Sequence, residues 1–241
     1  MFFVFMLIIT MKERKMIKMK KFNLLFVLLL GTLFFAFGCS CALEQAVSEE
    51  EALNVLKSIE LDDNMKVVTT TETIVNNQKS TSIQEDYYYE NKYYHISEGE
   101  DISTKTWYGY VDDVLYAFYY TKNAEEAETK SSSRIEISQL ESIKKQPSSI
   151  IDSIITDEGT LVEGYTLNAT RLGDKYTIEI SVNEEEESNV YAITILNNKI
   201  TKLEQISGVE SNSIKITYIY EYDISDFELP SLNEYPLKVN N

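Results

Sequence analysis

The sequence predicts an α+β fold: a curved antiparallel β-sheet of about ten strands, a half-barrel, with helices covering its concave face. Three observations predict it. Strand patterns outnumber helical ones and follow one another through short turns. In the second half, apolar and polar residues alternate at period two, the mark of a sheet with one buried face. Helical periodicity is confined to two places, just after the N-terminal apolar segment and in the middle of the chain. About ten twisted antiparallel strands curl toward a barrel or half-barrel instead of staying flat.

The first element is an export segment over residues 1–38. Lys12, Arg14, Lys15, Lys18, Lys20 and Lys21 precede an apolar run from Leu24 through Phe37. A basic region before a short apolar one reads as a secretory signal, and the run is short of the roughly 20 residues a membrane span needs. Residues 1–10 lie ahead of the bases, which fits a true start at Met11, Met16 or Met19. Ala36-Phe37-Gly38-Cys39 resembles a bacterial lipobox. It predicts cleavage before Cys39, acylation of that residue, and an extracytoplasmic chain held to the cell membrane by its N-terminal lipid. An uncleaved signal anchor is the other reading. Residues 39–47 are then the lipidated cysteine and a short tether, 48–230 a single α+β domain, and 231–241 an irregular C-terminal tail.

Charge limits the partners. The chain has 241 residues, 22 Lys+Arg, 39 Asp+Glu and a net charge of −17. Residues 1–38 hold six of the bases and one of the acids, so the remainder carries 16 bases against 38 acids, a net of −22. Such a chain is not built for nucleic acid, where Lys and Arg neutralise phosphate. The single His and the two Cys, Cys39 and Cys41, rule out a His/Cys zinc site and a disulfide in the folded domain. No metal and no cofactor is implied. The domain therefore depends on its own core, and about 200 residues suffice for one.

Ser48-Glu49-Glu50-Glu51 reads as a capping box at the start of a helix over about 48–59, with an apolar stripe of Ala52, Leu53, Val55, Leu56 and Ile59. From Met65 the pattern becomes extended. Val67-Val68-Thr69-Thr70-Thr71 is strongly β-forming, and strands follow at about 80–89, 92–97, 103–111 and 113–121. Turns at Asn76-Asn77, Glu90-Asn91, Glu98–Asp101 and Asp112-Asp113 separate them. Ile137, Leu140 and Ile143 then share a helical face. A second helix starts at Pro147, carries Ile150, Ile151, Ile154 and Ile155 on one face, and closes at Gly159 as a left-handed cap. Strands return at about 160–171, 175–182, 190–196, 199–207 and 213–222, with Asn197-Asn198 as a tight turn.

This order of elements resembles the LolA/LppX-like lipoproteins over about 44–230. The local patterns that carry the resemblance are Tyr108-Gly109-Tyr110-Val111-Asp112-Asp113-Val114-Leu115-Tyr116, Asn197-Asn198-Lys199-Ile200, and the alternating strand from Ile214 to Tyr222 before a Pro. The resemblance implies a half-barrel that holds lipids or acylated molecules between sheet and helices. This chain departs from the family in carrying many Tyr where aliphatic residues are expected.

The candidate ligand-lining set is the apolar face of the later strands: Tyr176, Ile178, Ile180, Tyr191, Ile193, Ile195, Ile214, Ile216, Tyr218 and Tyr220. Trp107, Tyr116 and Phe118 of the earlier meander join it. Much of this set must also pack the helices. Consecutive tyrosines from Tyr87 to Tyr120 point to opposite faces, so one part is core and the other lies at a surface; Tyr is also a plain strand former. Glu184–Glu187 reads as a solvated hairpin tip, and acids near Glu98 and Asp112 as surface, not as a hydrolytic pair. His95 has no partner motif and reads as an ordinary strand residue. The leading expectation is a non-enzymatic lipoprotein whose partners are membrane lipid, through acylated Cys39, and a lipid or amphipathic ligand in the sheet cavity. The alternative is a protein–protein or cell-wall interaction module that uses exposed tyrosines.

Overall fold

The computed structural model describes residues 43–99, 101–125, 127–144, 149–156, 158–183, 188–209 and 211–238. The expected signal segment, Cys39, Pro147 and the expected hairpin tip at Glu184–Glu187 lie outside the described residues. Glu44–Asn241 forms one compact unit.

Twelve strands form one open antiparallel sheet in the order β1-β8-β9-β10-β11-β12-β2-β3-β4-β5-β6-β7. The first meander is β2 (Asn64–Val75), β3 (Gln78–Tyr89), β4 (Lys92–Glu98), β5 (Ile102–Val111), β6 (Val114–Asn123) and β7 (Glu128–Arg134). The second is β8 (Tyr165–Leu172), β9 (Lys175–Asn183), β10 (Ser188–Leu196), β11 (Lys199–Val209) and β12 (Asn212–Tyr222). β12 pairs with β2 and joins the two. The short strand β1 (Gln45–Val47) adds to β8. The fold is thus the expected α+β curved sheet with helices, but with twelve strands in place of about ten. The two additional strands, β1 and β7, are the two edges of the sheet. Within the expected 39–47 segment, Gln45–Val47 forms strand β1.

The tight hairpins form where the turn residues demand. Asn76 and Asn77, Asp112 and Asp113, and Asn197 and Asn198 all have positive φ, between 49° and 63°. Asn and Asp tolerate this region better than other side chains, and the resulting two-residue turns match the twist of the strands.

Among the described residues, three helices lie on one face: α1 (Glu49–Lys57), α2 (Ile137–Lys144) and α3 (Ser149–Ile154). Ser48 caps α1, its Oγ accepting from the Glu51 N–H at 3.2 Å. Among the described residues, no hydrogen bond from the Ser48 N–H to the Glu51 side chain completes the capping box. The Glu51 carboxylate instead accepts from the Tyr176 hydroxyl at 3.2 Å and lies 3.9 Å from Arg171. Helix α3 ends at Ile154, earlier than expected, because Ile155 leaves the helix to bridge Leu161. Gly159 has the expected positive φ, +78°, but sits in the following turn.

The main core lies between helices and sheet. Ala52, Leu56, Leu140 and Ile154 pack onto Ile178, Ile180, Ile193, Ile195, Ile200 and Leu203, of which the last six are fully buried. A smaller core occupies the opposite face. Tyr116, Phe118 and Tyr235 form its centre, with Trp107, Leu229 and Leu232 around them. Its cover is the segment after β12, residues 223–238, which has no regular structure but is firmly attached. The Ser132 N–H donates to the Pro236 carbonyl and the Lys238 N–H to the Ser132 carbonyl, each at 2.9 Å. Ser132 Oγ donates to the Tyr235 carbonyl at 2.8 Å. Lys92 pairs with Asp226 at 2.7 Å and Lys130 with Glu234 at 2.6 Å. This strap is irregular, as expected of the tail, yet it belongs to the domain.

Candidate functional site: grooves on the helix-bearing face

Strand register assigns every sequence-predicted site residue to a face. Tyr176, Ile178 and Ile180 stand opposite Ile195, Ile193 and Tyr191. Leu203 continues the row to Tyr218, and Gln205 to Ile216. These residues share the helix-bearing face. Ile178, Ile180, Ile193 and Ile195 are fully buried under the helices, and Tyr220 nearly so. They belong to the packed core. Tyr176, Tyr191 and Tyr218 border that core. Ile214 and Ile216 lie toward the far end of β12, where Ile214 is exposed.

Trp107, Tyr116 and Phe118 are on the other face. Trp107 pairs with Phe118 across β5 and β6, and both touch Tyr235 of the strap edge-on, at 5.8 and 6.0 Å between ring centres. They therefore cannot line one cavity together with the isoleucines. An aromatic ladder leads up to them: Tyr87 stacks on Tyr94 at 5.4 Å, and Tyr94 on Trp107 at 4.8 Å. Gly109, also on this face, admits Leu229 of the strap; a Cβ there would lie 2.5 Å from Leu229 Cδ1. Burial pushes the Tyr94 hydroxyl up to about 12. Of the tyrosines from Tyr87 to Tyr120, Tyr110 alone is exposed. The alternation of Tyr is thus resolved by two covers, helices above Tyr88 and Tyr93 and the strap above Trp107 and Phe118.

Beyond the helices, the helix-bearing face turns polar. One row runs Val67, Asp86, His95, Thr106 and Tyr119 across β2 to β6, and the next runs Thr69, Gln84, Ser97, Thr104 and Thr121. Within the first, Asp86 Oδ1 accepts from the Tyr93 hydroxyl at 2.5 Å and lies 2.7 Å from His95 Nδ1. Burial first, and the Asp86 carboxylate second, raise the Tyr93 hydroxyl far above its ordinary value. His95 is therefore a partnered residue, which the sequence alone did not reveal.

Two grooves open beside the packed core. The first, of about 290 Å³, runs between α1 and α3; Leu56, Ile59, Leu61, Ile151 and Ile155 line it together with Lys57, Asp152 and Thr156. The second, of about 350 Å³, lies between α2 and the sheet and is lined by Tyr108, Tyr119, Ile135, Ser138, Gln139, Ser142 and Ile143. Burial, and then Tyr119, push the Tyr108 hydroxyl there up to about 12. Known small-molecule sites span roughly 300–1,000 Å³ and are mostly apolar with a few placed polar groups. Five of the eight residues that line the α1–α3 groove are aliphatic, and its volume lies just below that range. Sequence periodicity had put Ile151 and Ile155 on one helical face. The structure divides that face: Ile154 turns into the core while Ile151 and Ile155 border the groove. Among the described residues, no group of three His, Cys, Asp or Glu side chains is placed to hold a metal ion.

No protein-family model matches the chain, and no curated protein matches it. Among solved structures, the chain is similar to a DUF1329 family protein from Desulfovibrio piger, at 9% identity and a TM-score of 0.28, over 74% of this chain and 95% of that one. It is also similar to a LolA superfamily protein from Nitrosomonas europaea, at 11% identity and a TM-score of 0.23, over 77% of this chain and 96% of that one.

Proposed function

We propose that the chain is an extracytoplasmic lipoprotein, anchored through an acylated Cys39, that holds the apolar part of an amphipathic ligand in the groove between α1 and α3 and does no chemistry on it. The observation that carries this reading is the lining of that groove. Five aliphatic side chains, Leu56, Ile59, Leu61, Ile151 and Ile155, line it with Lys57 and Asp152. The aliphatic wall suits a hydrocarbon segment, and the two charged groups suit a polar head. At about 290 Å³ the groove takes a short chain or the end of a longer one. The ligand site thus lies at the helix layer, outside the residues that alternate along β9 and β10.

The test is native purification of the mature chain, organic extraction, and mass spectrometry for a stoichiometric lipid, followed by titration with a fluorescent acyl probe. Saturable uptake that falls at least tenfold in Leu61→Arg is expected. A clean chain that takes up no probe overturns the reading.

A further inference from the structure

The two ends of the sheet differ in where the chain enters. β1 starts at Gln45, opposite Arg171, one residue from the β8–β9 turn. At this end, Leu172 pairs with Lys175, Lys175 with Leu196, and Leu196 with Lys199. Register therefore sets Leu, Lys, Leu and Lys in one row across four adjacent strands. Both leucines are 43% exposed. Lys175 is exposed and has no ion-pair partner among the described residues. Lys199 is held by Asp62 at 3.1 Å, and the other acids nearby are Asp174 in the turn, Glu44 bonded to Thr170, and Glu51, 3.9 Å from Arg171. Arg171 adds a third base, its Nε donating to the Gly173 carbonyl. Of these three bases, Arg171 and Lys199 each lie beside an acid, and Lys175 does not pair with one among the described residues.

We propose that this rim rests on the membrane surface, with Leu172 and Leu196 entering the headgroup layer and Lys175 meeting lipid phosphate. Two exposed leucines flanking an unpaired lysine at the end of a domain fit the headgroup layer, where apolar side chains insert and the lysine meets phosphate. Reach selects this end over the other. From Cys39 to Gln45 the chain spans at most about 20 Å. A nine-residue strand such as β9 is about 30 Å long. With the tether entering at the Gln45 end, the far end, with its own exposed Val75 and Val209, stands away from the bilayer. The inference rests on acylation of Cys39 as proposed above.

The test uses the mature acylated chain in vesicles of phosphatidylglycerol and phosphatidylcholine. Cys41→Ser removes the second thiol, and an environment-sensitive fluorophore is attached at Leu172→Cys, Leu196→Cys or, as control, Val75→Cys. Quenching by spin-labelled lipid is expected to be severalfold stronger at 172 and 196 than at 75, and weaker at 172 when Lys175→Glu is added. Mass spectrometry of the N-terminal peptide is read in parallel. Acylated protein with equal quenching at all three positions overturns the rim alone. Absence of acyl mass on Cys39 overturns the anchoring, and the rim with it.

Discussion

β9 and β10 bury isoleucine beneath short helices, whereas β5 and β6 bury Trp107 and Phe118 beneath a strap without regular structure. The first cover is made of amphipathic helices, whose apolar residues recur on one side. The second is made of separate anchors, Leu229, Leu232 and Tyr235, fixed by ion pairs and by backbone bonds to Ser132. Aliphatic strands with one apolar face need one cover. The tyrosine-rich meander is apolar on both faces and needs two. The difference teaches that the aromatic content of β3 to β6 answers a structural demand, a sheet region covered on both sides.

The largest effect expected is from Phe118→Ala, about 4 kcal/mol of stability, with Ile193→Ala next at about 3 kcal/mol. The two residues belong to separate cores, so the double variant should lose the sum to within about 0.5 kcal/mol in urea unfolding. A much larger coupling would mean that the faces act as one core. Gly109→Ala should cost about 2 kcal/mol, because a Cβ there displaces Leu229. It should also shift the emission of Trp107, the single tryptophan, to longer wavelength, a change that Ile193→Ala should not produce. Ser132→Ala removes the hydroxyl that bonds the Tyr235 carbonyl and should cost about 1.5 kcal/mol. Ser48→Ala, on the helix side, should cost about 1 kcal/mol through the lost cap.

The smallest effect at neutral pH, but one that samples both faces, is alkaline titration. Tyr94 on the strap face and Tyr108 and Tyr222 on the helix face are pushed up to about 12, burial being the main cause in each. An unfolded tyrosine ionises near pH 10. The folded state therefore keeps its proton where the unfolded state loses it. The stabilisation is complete below pH 10 and is lost as pH rises from about 10 to 12. Phenolate absorbance and circular dichroism should change together in that window. Phenolate forming well before the loss of structure would show that these hydroxyls are reached by solvent.

The interior of the sheet was legible and its borders were not. Alternation placed Ile178, Ile180, Ile193 and Ile195 on one face, and the Asn and Asp pairs marked the hairpins, because burial and positive φ each restrict residue type. Edge strands are under no such restriction. β7 reads Glu128–Arg134 without one apolar residue, and its buried members are Ser131 and Ser132; β1 has three residues. The strap escaped for the same reason, since widely spaced anchors produce no period. The groove was legible in part. Leu56, Ile59, Ile151 and Ile155 lie on apolar helical stripes, whereas Leu61 sits in the loop before β2, and only tertiary packing brings it to them. Whether Trp107 shared a face with Ile193 required the register, which the pattern within single strands does not contain.

The pairing of β2 with β12 has a consequence for how the chain is made. Thr70 lies beside Thr217, and on the other side of the sheet Ala46 lies beside Thr170. Each meander closes through local hairpins, which form in about microseconds. The seam between them must wait until the last long strand is available, and such distant contacts slow folding. A chain emerging N-terminus first exposes the unpaired edge of β2 for nearly the whole of its emergence. The order of synthesis, and not only the stability of the finished sheet, therefore bears on how this chain reaches its folded form.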